Sequence, residues 1–287
     1  MEKISFKRGK RARSVFLIFN TLFMMFLCAA VLIPIIKIFS ASIANTNTYG
    51  IDLLPKAIDL TAYKSFKFEY GIHSFYISCL TTAATAFLGV IATSISAYTL
   101  MQWDMPGVRL FKAMLIITLV FNAGIMPEYI VMKKLHLTNS LWAVMLPMCL
   151  NVANIFLLRA YFEQLPQSIL DAAEIDGCTP VQKFFAIVMP LSRAPLAVTG
   201  FLFATAAWNE YIRYVIYISD TTKYNLQWAI RDAVAPGCIG EVCPEWFSYT
   251  DYIAWVCVRI IVGLLPAAIL VPIFLHFLRQ RKIDRII

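Results

Sequence analysis

The chain reads as an all-α integral membrane protein: six transmembrane helices and one polar two-helix insert. Three observations predict this. Of its 287 residues 60% are hydrophobic and 15% charged, whereas a soluble domain carries about 25% charged residues. Several apolar runs reach the roughly 20 residues needed to cross a bilayer. Lysine and arginine are distributed unevenly between the segments that join those runs. Only helices and closed barrels satisfy their backbone polar groups in lipid, and runs of this length belong to helices.

Taken in order, the predicted spans lie near 15–40, 73–100, 108–124, 141–162, 192–218 and 255–278. The first follows a basic segment, 1–14, that is read as cytoplasmic. Its apolar stretch exceeds the 7–15 residues of a signal-peptide core, so it is read as a retained span that opens a transmembrane domain over 15–287. The third span is interrupted at its end by Asn122, Gly124 and Pro127. A short re-entrant or interfacial helix over 126–135 is expected next, tolerable in lipid where protein covers its backbone. Pro34, Pro147, Pro266 and Pro272 mark kinks. Trp103 and Trp255 suit the interface, and Lys37 and Arg259 lie where their charges can snorkel to water.

The formal net charge of +8 follows topology rather than a nucleic-acid partner. Fifteen Lys and Arg fall in the N-terminal segment, the loop at Arg109–Lys112, the 163–191 insert with its flanks, and the C-terminal tail. Seven fall on the opposite side, within loops 41–72 and 219–254 and the 126–135 segment. This positive-inside bias places both termini and the insert in the cytoplasm.

The insert carries the densest local signals. Ser168 can cap a helix beginning at Ile169, with Asp171 in its first turn, where a negative charge is favoured. Asp171, Glu174 and Asp176 supply three carboxylates, and Gly177 supplies a residue that accepts positive φ and stops the helix. Thr179, Pro180 and Gln182 form the pattern of a capping box with proline at the first helical position. Val181, Phe184, Phe185 and Val188 are expected to form an apolar stripe, with Pro190 ending the helix. Local chemistry alone also fits a plain surface helix pair joining two spans.

The spacing of this insert resembles the EAA signature of bacterial ABC importer permeases: Glu-Ala-Ala, three residues, Gly, nine residues, Ile-x-Leu-Pro. Asp171, Ala172, Ala173, Gly177, Ile187 and Pro190 match in position, with Asp171 in place of Glu and Met189 in place of Leu. The segments ISAYTLMQWDMPGVRLF from Ile95, GIMPEYIVMKKLHLTNSLWAVMLP from Gly124 and WNEYI at 208–212 are similar to the carbohydrate branch, for complex saccharides and oligosaccharides. The ending LRQRKIDRII lacks the glycine-rich tail of maltose-type members.

The resemblance implies a type I ABC importer permease architecture in a bacterial inner membrane. In it, 163–191 is a coupling loop whose Asp171, Ala172, Ala173, Glu174, Asp176, Gly177, Phe184, Ile187 and Pro190 engage an ATPase. It implies as partners a second homologous permease, two cytosolic ATP-binding subunits, an extracytoplasmic solute-binding protein, a saccharide and membrane lipid. ATP and Mg are expected on the ATPase subunits, with no cofactor bound by this chain. The absence of a GxxxxGK[S/T] loop agrees with a subunit that is itself no enzyme.

Polar residues inside spans are expensive and each asks for a role. Glu210 and Arg213, three apart on a helix, can form an internal ion pair; alternatively Trp208, Asn209 and Glu210 line a translocation path together with Asn122, Glu128, Asn151 and Asn154. The asparagines also suit helix-to-helix hydrogen bonds. Cys238 and Cys243 share the 219–254 loop, as a disulfide or as two free thiols. His73, His136 and His276 are scattered, and no paired-Cys, HExxH or Ser-His-Asp pattern occurs. An ion-gradient-driven transporter is the alternative function. It requires an essential midplane carboxylate, for which Glu210 is the candidate, and an inverted repeat, for which the sequence gives no convincing sign.

Overall fold

A computed structural model describes residues 2–43, 71–102, 105–121, 123–234 and 256–264, with 58, 60, 63, 254 and 266 as isolated positions. Asn122, Cys238, Cys243, most of loop 41–72, the latter part of loop 219–254 and the last predicted span beyond residue 266 lie outside these. The chain is helical throughout its described core, and it divides into two units, Met1–Phe68 with Pro236–Val262 and Glu69–Ala235 with Gly263–Ile287.

In the first unit, helix α1 spans Glu2–Ser42 without a break at Pro34. Its Arg13–Ser42 portion is long and apolar enough to cross a membrane by itself. Large apolar side chains such as Phe16, Phe19, Met25, Phe26 and Val31 stand 59–68% exposed on every side of it, the pattern of a helix solvated by lipid rather than water. Ser42 returns its hydroxyl to the Phe39 carbonyl at 2.7 Å and meets the Tyr63 hydroxyl at 2.9 Å. Residues 256–262 are helical, with Cys257 and Val258 buried.

The second unit is organised by α2, Gly71–Met101, a continuous helix that also suffices to cross a membrane. Its buried face carries Ser74, Ser78, Thr81, Thr85, Gly89, Thr93 and Ala97, small residues at helical spacing. Short side chains let a neighbouring helix approach closely, which in lipid supplies the packing energy that water would otherwise drive. The neighbour is α9, Arg193–Trp208. At their crossing Gly89 receives the ring of Phe203 and Gly200 faces Val90.

The remaining helices are short. After Gly107, at φ +88°, α3 runs Val108–Val120. At 1.5 Å per residue it reaches about 20 Å, short of the roughly 30 Å hydrocarbon layer. Gly124, at φ +83°, then redirects the chain into α4, Ile125–Lys134, where the short interfacial helix was expected.

The predicted span over 141–162 is two helices, α5 (Leu141–Met148) and α6 (Val152–Phe162), bent by 45°. Pro147 cannot donate to the ladder, and the helix stops just beyond it. Asn151 then caps α6, accepting the Asn154 N–H at 3.2 Å.

The insert comprises α7 (Gln167–Ile175) and α8 (Pro180–Leu191), the latter turning by 83° into α9. The predicted span over 192–218 also breaks: α9 stops at Trp208, and α10 (Ile212–Tyr217) restarts after Asn209–Tyr211. A 3-10 turn, Thr221–Lys223, leads to α11, Leu226–Val234. Among the described residues, two helices are long and apolar enough to cross a membrane unaided, and the bent pair α5–α6 is so when joined.

Candidate functional site

The insert is built almost wholly from local rules. Helix α7 starts two residues earlier than the sequence suggested: Pro166, not Ser168, occupies the N-cap, with no side-chain cap. Proline pre-sets φ for the chain entering the helix but offers no side-chain acceptor, so the first N–H groups of α7 lack a side-chain cap. Asp171 therefore lies past the first turn, where it accepts the Gln167 amide at 3.1 Å rather than facing the free N–H groups. The other end matches the prediction. Gly177 adopts φ +76°, its N–H reaches the Glu174 carbonyl and the Cys178 N–H reaches the Ala173 carbonyl, both at 3.0 Å. That pair of bonds is a Schellman stop.

Thr179 then opens α8 with a complete capping box: its hydroxyl accepts the Gln182 N–H at 3.3 Å, and the Gln182 side chain accepts the Thr179 N–H at 2.8 Å. Lys183 reaches back to Glu174 at 2.9 Å and ties the two arms together. With Glu174 76% exposed, that tie contributes about 0.5 kcal/mol.

Helix α8 divides its apolar residues between two faces, and this corrects the single stripe read from the sequence. A π turn over Phe184–Val188 widens the helix. Phe184 and Val188 point inward and are buried, while Val181 and Phe185 are 66% and 59% exposed. Pro190 does not end the helix, which continues to Leu191; the wider turn just before it accommodates the missing N–H and the bulk of the ring.

Phe184 packs on Tyr98 of α2 with ring centroids 5.1 Å apart, and the Tyr98 hydroxyl donates to the Pro180 carbonyl at 3.2 Å. Around them Ala97, Leu100, Ile155, Leu158, Phe162 and Leu170 complete a buried cluster, with Ile187 packed against its edge. Arg159 and Glu163, 2.7 Å apart, stand where α6 leaves for the insert. The result is a protrusion anchored from below, with apolar and acidic side chains exposed together on top. Ile175 is 87% exposed, beside exposed Ala172, Asp171 and Asp176.

At the other end of α9 lies a charged cluster that the sequence only half revealed. Arg213 of α10 donates through Nη1 to Glu210 at 2.7 Å, the pair expected from their spacing. The same guanidinium also grips Glu128 of α4 with Nε at 2.8 Å and Nη2 at 3.1 Å. Tyr217 donates to Glu128 at 2.8 Å, and Asn225 donates to the Glu210 carbonyl at 2.6 Å. The Glu128–Arg213 partnership joins residues 85 apart in sequence; the available signal was the expectation that opposite charges within a membrane segment find each other.

The other predicted path residues separate from this cluster. Trp208 is buried and donates its indole N–H to the Gly263 carbonyl at 3.0 Å, Asn209 donates to Thr205 at 2.9 Å, and Asn151 and Asn154 lie at the α5–α6 break.

An ordered turn system flanks the cluster. Asn139, at φ +60°, accepts the N–H groups of Ser219 and Asp220 at 3.2 and 3.1 Å. Lys223 donates to the Asn139 carbonyl at 2.9 Å. The hydroxyl and N–H of Thr222, both donated to Asp220, hold that carboxylate below its usual range, with Lys223 adding to the effect. No group of three or more His, Cys, Asp or Glu suited to a metal occurs among the described residues.

No protein-family model matches the chain. It is 30% identical over 235 residues to Protein LplC of Bacillus subtilis, covering 80% of each chain. It is 29% identical over 216 residues to the polygalacturonan/rhamnogalacturonan transport system permease protein YtcP of the same organism, covering 74% of this chain and 76% of that one. Among solved structures it resembles a chain of a bacterial ABC transporter involved in the import of the acidic polysaccharide alginate, with a TM-score of 0.85, 26% identity, and 93% and 98% of the two chains covered. The chain belongs to the permease subunits of carbohydrate ABC importers. With that family it is an integral protein of the bacterial inner membrane, a permease rather than an ATPase.

Proposed function

We propose that the Asp171–Pro190 protrusion is the element through which a cytosolic ATPase drives this permease. The observation that carries the reading is the division of α8 between its two faces. Phe184 and Val188 fasten the protrusion to α2, while Ile175, Val181 and Phe185 are left bare at its tip. Bare apolar side chains on a water-facing knob gain stability when a cleft covers them, at about 25 cal/mol per Å² removed from water. In this reading the knob and both termini face the cytoplasm and the chain has six spans; the excess of Lys and Arg in the knob's flanks and the terminal segments supports it. ATP and Mg belong to two ATP-binding subunits; a second homologous permease supplies the other half of the path, and an extracytoplasmic solute-binding protein delivers cargo. The substrate is a saccharide of the oligosaccharide class, supported by the cargo named for similar proteins.

The test is Ile175→Asp in the assembled transporter. The variant should reach the membrane in normal amount, because Ile175 packs against nothing that its loss would disturb. It should fail to retain the ATPase during purification and should lose uptake. Normal uptake with the ATPase retained would remove the protrusion from the coupling pathway.

A further inference from the structure

We infer that Arg213 is a latch shared between two carboxylates, releasing Glu128 while keeping Glu210 when the end of the bundle remote from the insert opens. The inference rests on the coupling role proposed above for the insert.

Helix α9 joins the two regions. One end turns directly into α8 of the insert, and the other ends at Trp208, where the chain unwinds over Asn209–Tyr211. Glu210 lies in that break and Arg213 in the first turn after it, so their bond is local and travels with the segment. Glu128 belongs to α4, a short helix entered through Gly124 at positive φ. Its two-pronged bond to Arg213 crosses from one element to another. Any motion that separates α4 from α10 must break the Glu128 bonds and need not break the Glu210 bond.

Charge makes this asymmetry usable. Even a half-buried guanidinium such as that of Arg213 is penalised when stripped of every partner. Here the arginine keeps one carboxylate throughout, while Glu128 gives up Tyr217 of α10 together with Arg213 and turns to the water that the opening admits. The closed form gains the extra bonds, while the open form avoids an orphaned cation. Both forms are thus held within reach of each other, as a two-state element requires.

The two glutamates should therefore act with opposite sign, which a merely structural cluster would not produce. In the purified transporter without its solute-binding protein, Glu128→Gln should raise basal ATP turnover by about fivefold or more. Glu210→Gln leaves the guanidinium to Glu128 alone, and should lower binding-protein-stimulated turnover and uptake by a similar factor. Glu128→Asp keeps the charge but shortens its reach; it should raise basal turnover less, and it decides the matter if the Gln variant does not assemble. Equal losses in both glutamate variants, or no change in either, would overturn the latch. Ile175→Asp in the same preparation keeps the two ideas apart: normal uptake there defeats the coupling role, while the sign of the glutamate effects judges the latch.

Discussion

Phe203 of α9 lies over Gly89 of α2 so closely that a β-carbon at position 89 would stand 2.9–3.0 Å from its ring atoms. The contact is side chain against backbone, where the two longest packed helices of the second unit cross. Glycine here is a matter of space rather than of dihedral freedom.

Gly89→Ala should accordingly destabilise the folded permease by about 1–3 kcal/mol, the range for overpacking. Thermal unfolding in detergent would show it as a lowered Tm. Adding Phe203→Leu should recover part of the loss; a double variant no better than Gly89→Ala would point to a cause other than the ring.

Gly177 makes the opposite case. No atom lies within 4 Å of a β-carbon there, yet φ is +76°. Gly177→Val should cost about 1–2 kcal/mol through the backbone alone, and Gly177→Asn, which tolerates that region, should cost less. We expect the valine variant to reach the membrane and lose uptake, measured against expression by immunoblot, with asparagine intermediate. Equal uptake by all three would show that the stop between α7 and α8 need not be sharp.

Phe184 and Ile175 separate anchoring from docking. Phe184→Ala empties a buried site against Tyr98 and should destabilise the protein by about 3–5 kcal/mol. Ile175→Ala removes an exposed side chain and should leave stability within about 0.5 kcal/mol of wild type. Unfolding curves of the two purified variants check this directly, and similar curves would contradict the burial pattern.

Asn139 combines positive φ with two accepted N–H bonds. Asn139→Gly keeps the first and loses the second; Asn139→Ala loses both. The expected order of stability is wild type, glycine, alanine, with about 1 kcal/mol for each step. Hydrogen exchange at Ser219 and Asp220 should rise in both variants.

The insert was readable because its rules are short-range. Thr179, Pro180 and Gln182 form a box within one turn, and Gly177 marks the stop whatever surrounds it. The misread start of α7 is of the same scale: Ser168 was a good cap, but Pro166 occupied the position first. The breaks at Cys149–Asn151 and Asn209–Tyr211 were hidden because the flanking runs are apolar enough to reach span length on average, and the polar Asn151, Asn209 and Glu210 at the breaks suited a path or a pairing role equally well. The two-faced π turn was hidden as well, since a stripe drawn at 3.6 residues per turn assumes the regular geometry that Phe184–Val188 abandons. Glu128 and Arg213 were each visible as costly charges, but the folding that joins α4 to α10 is not written in either neighbourhood.

The near-right-angle corner at Ser192 has a mechanical consequence. A helix resists stretching along its axis far better than it resists being swung, and α8 meets α9 almost perpendicular. A pull along α8 therefore reaches α9 as a sideways shove at its foot, like a crank turning a shaft. A stroke of a few ångströms at the tip becomes a change in slant of the long rod rather than a change in its length.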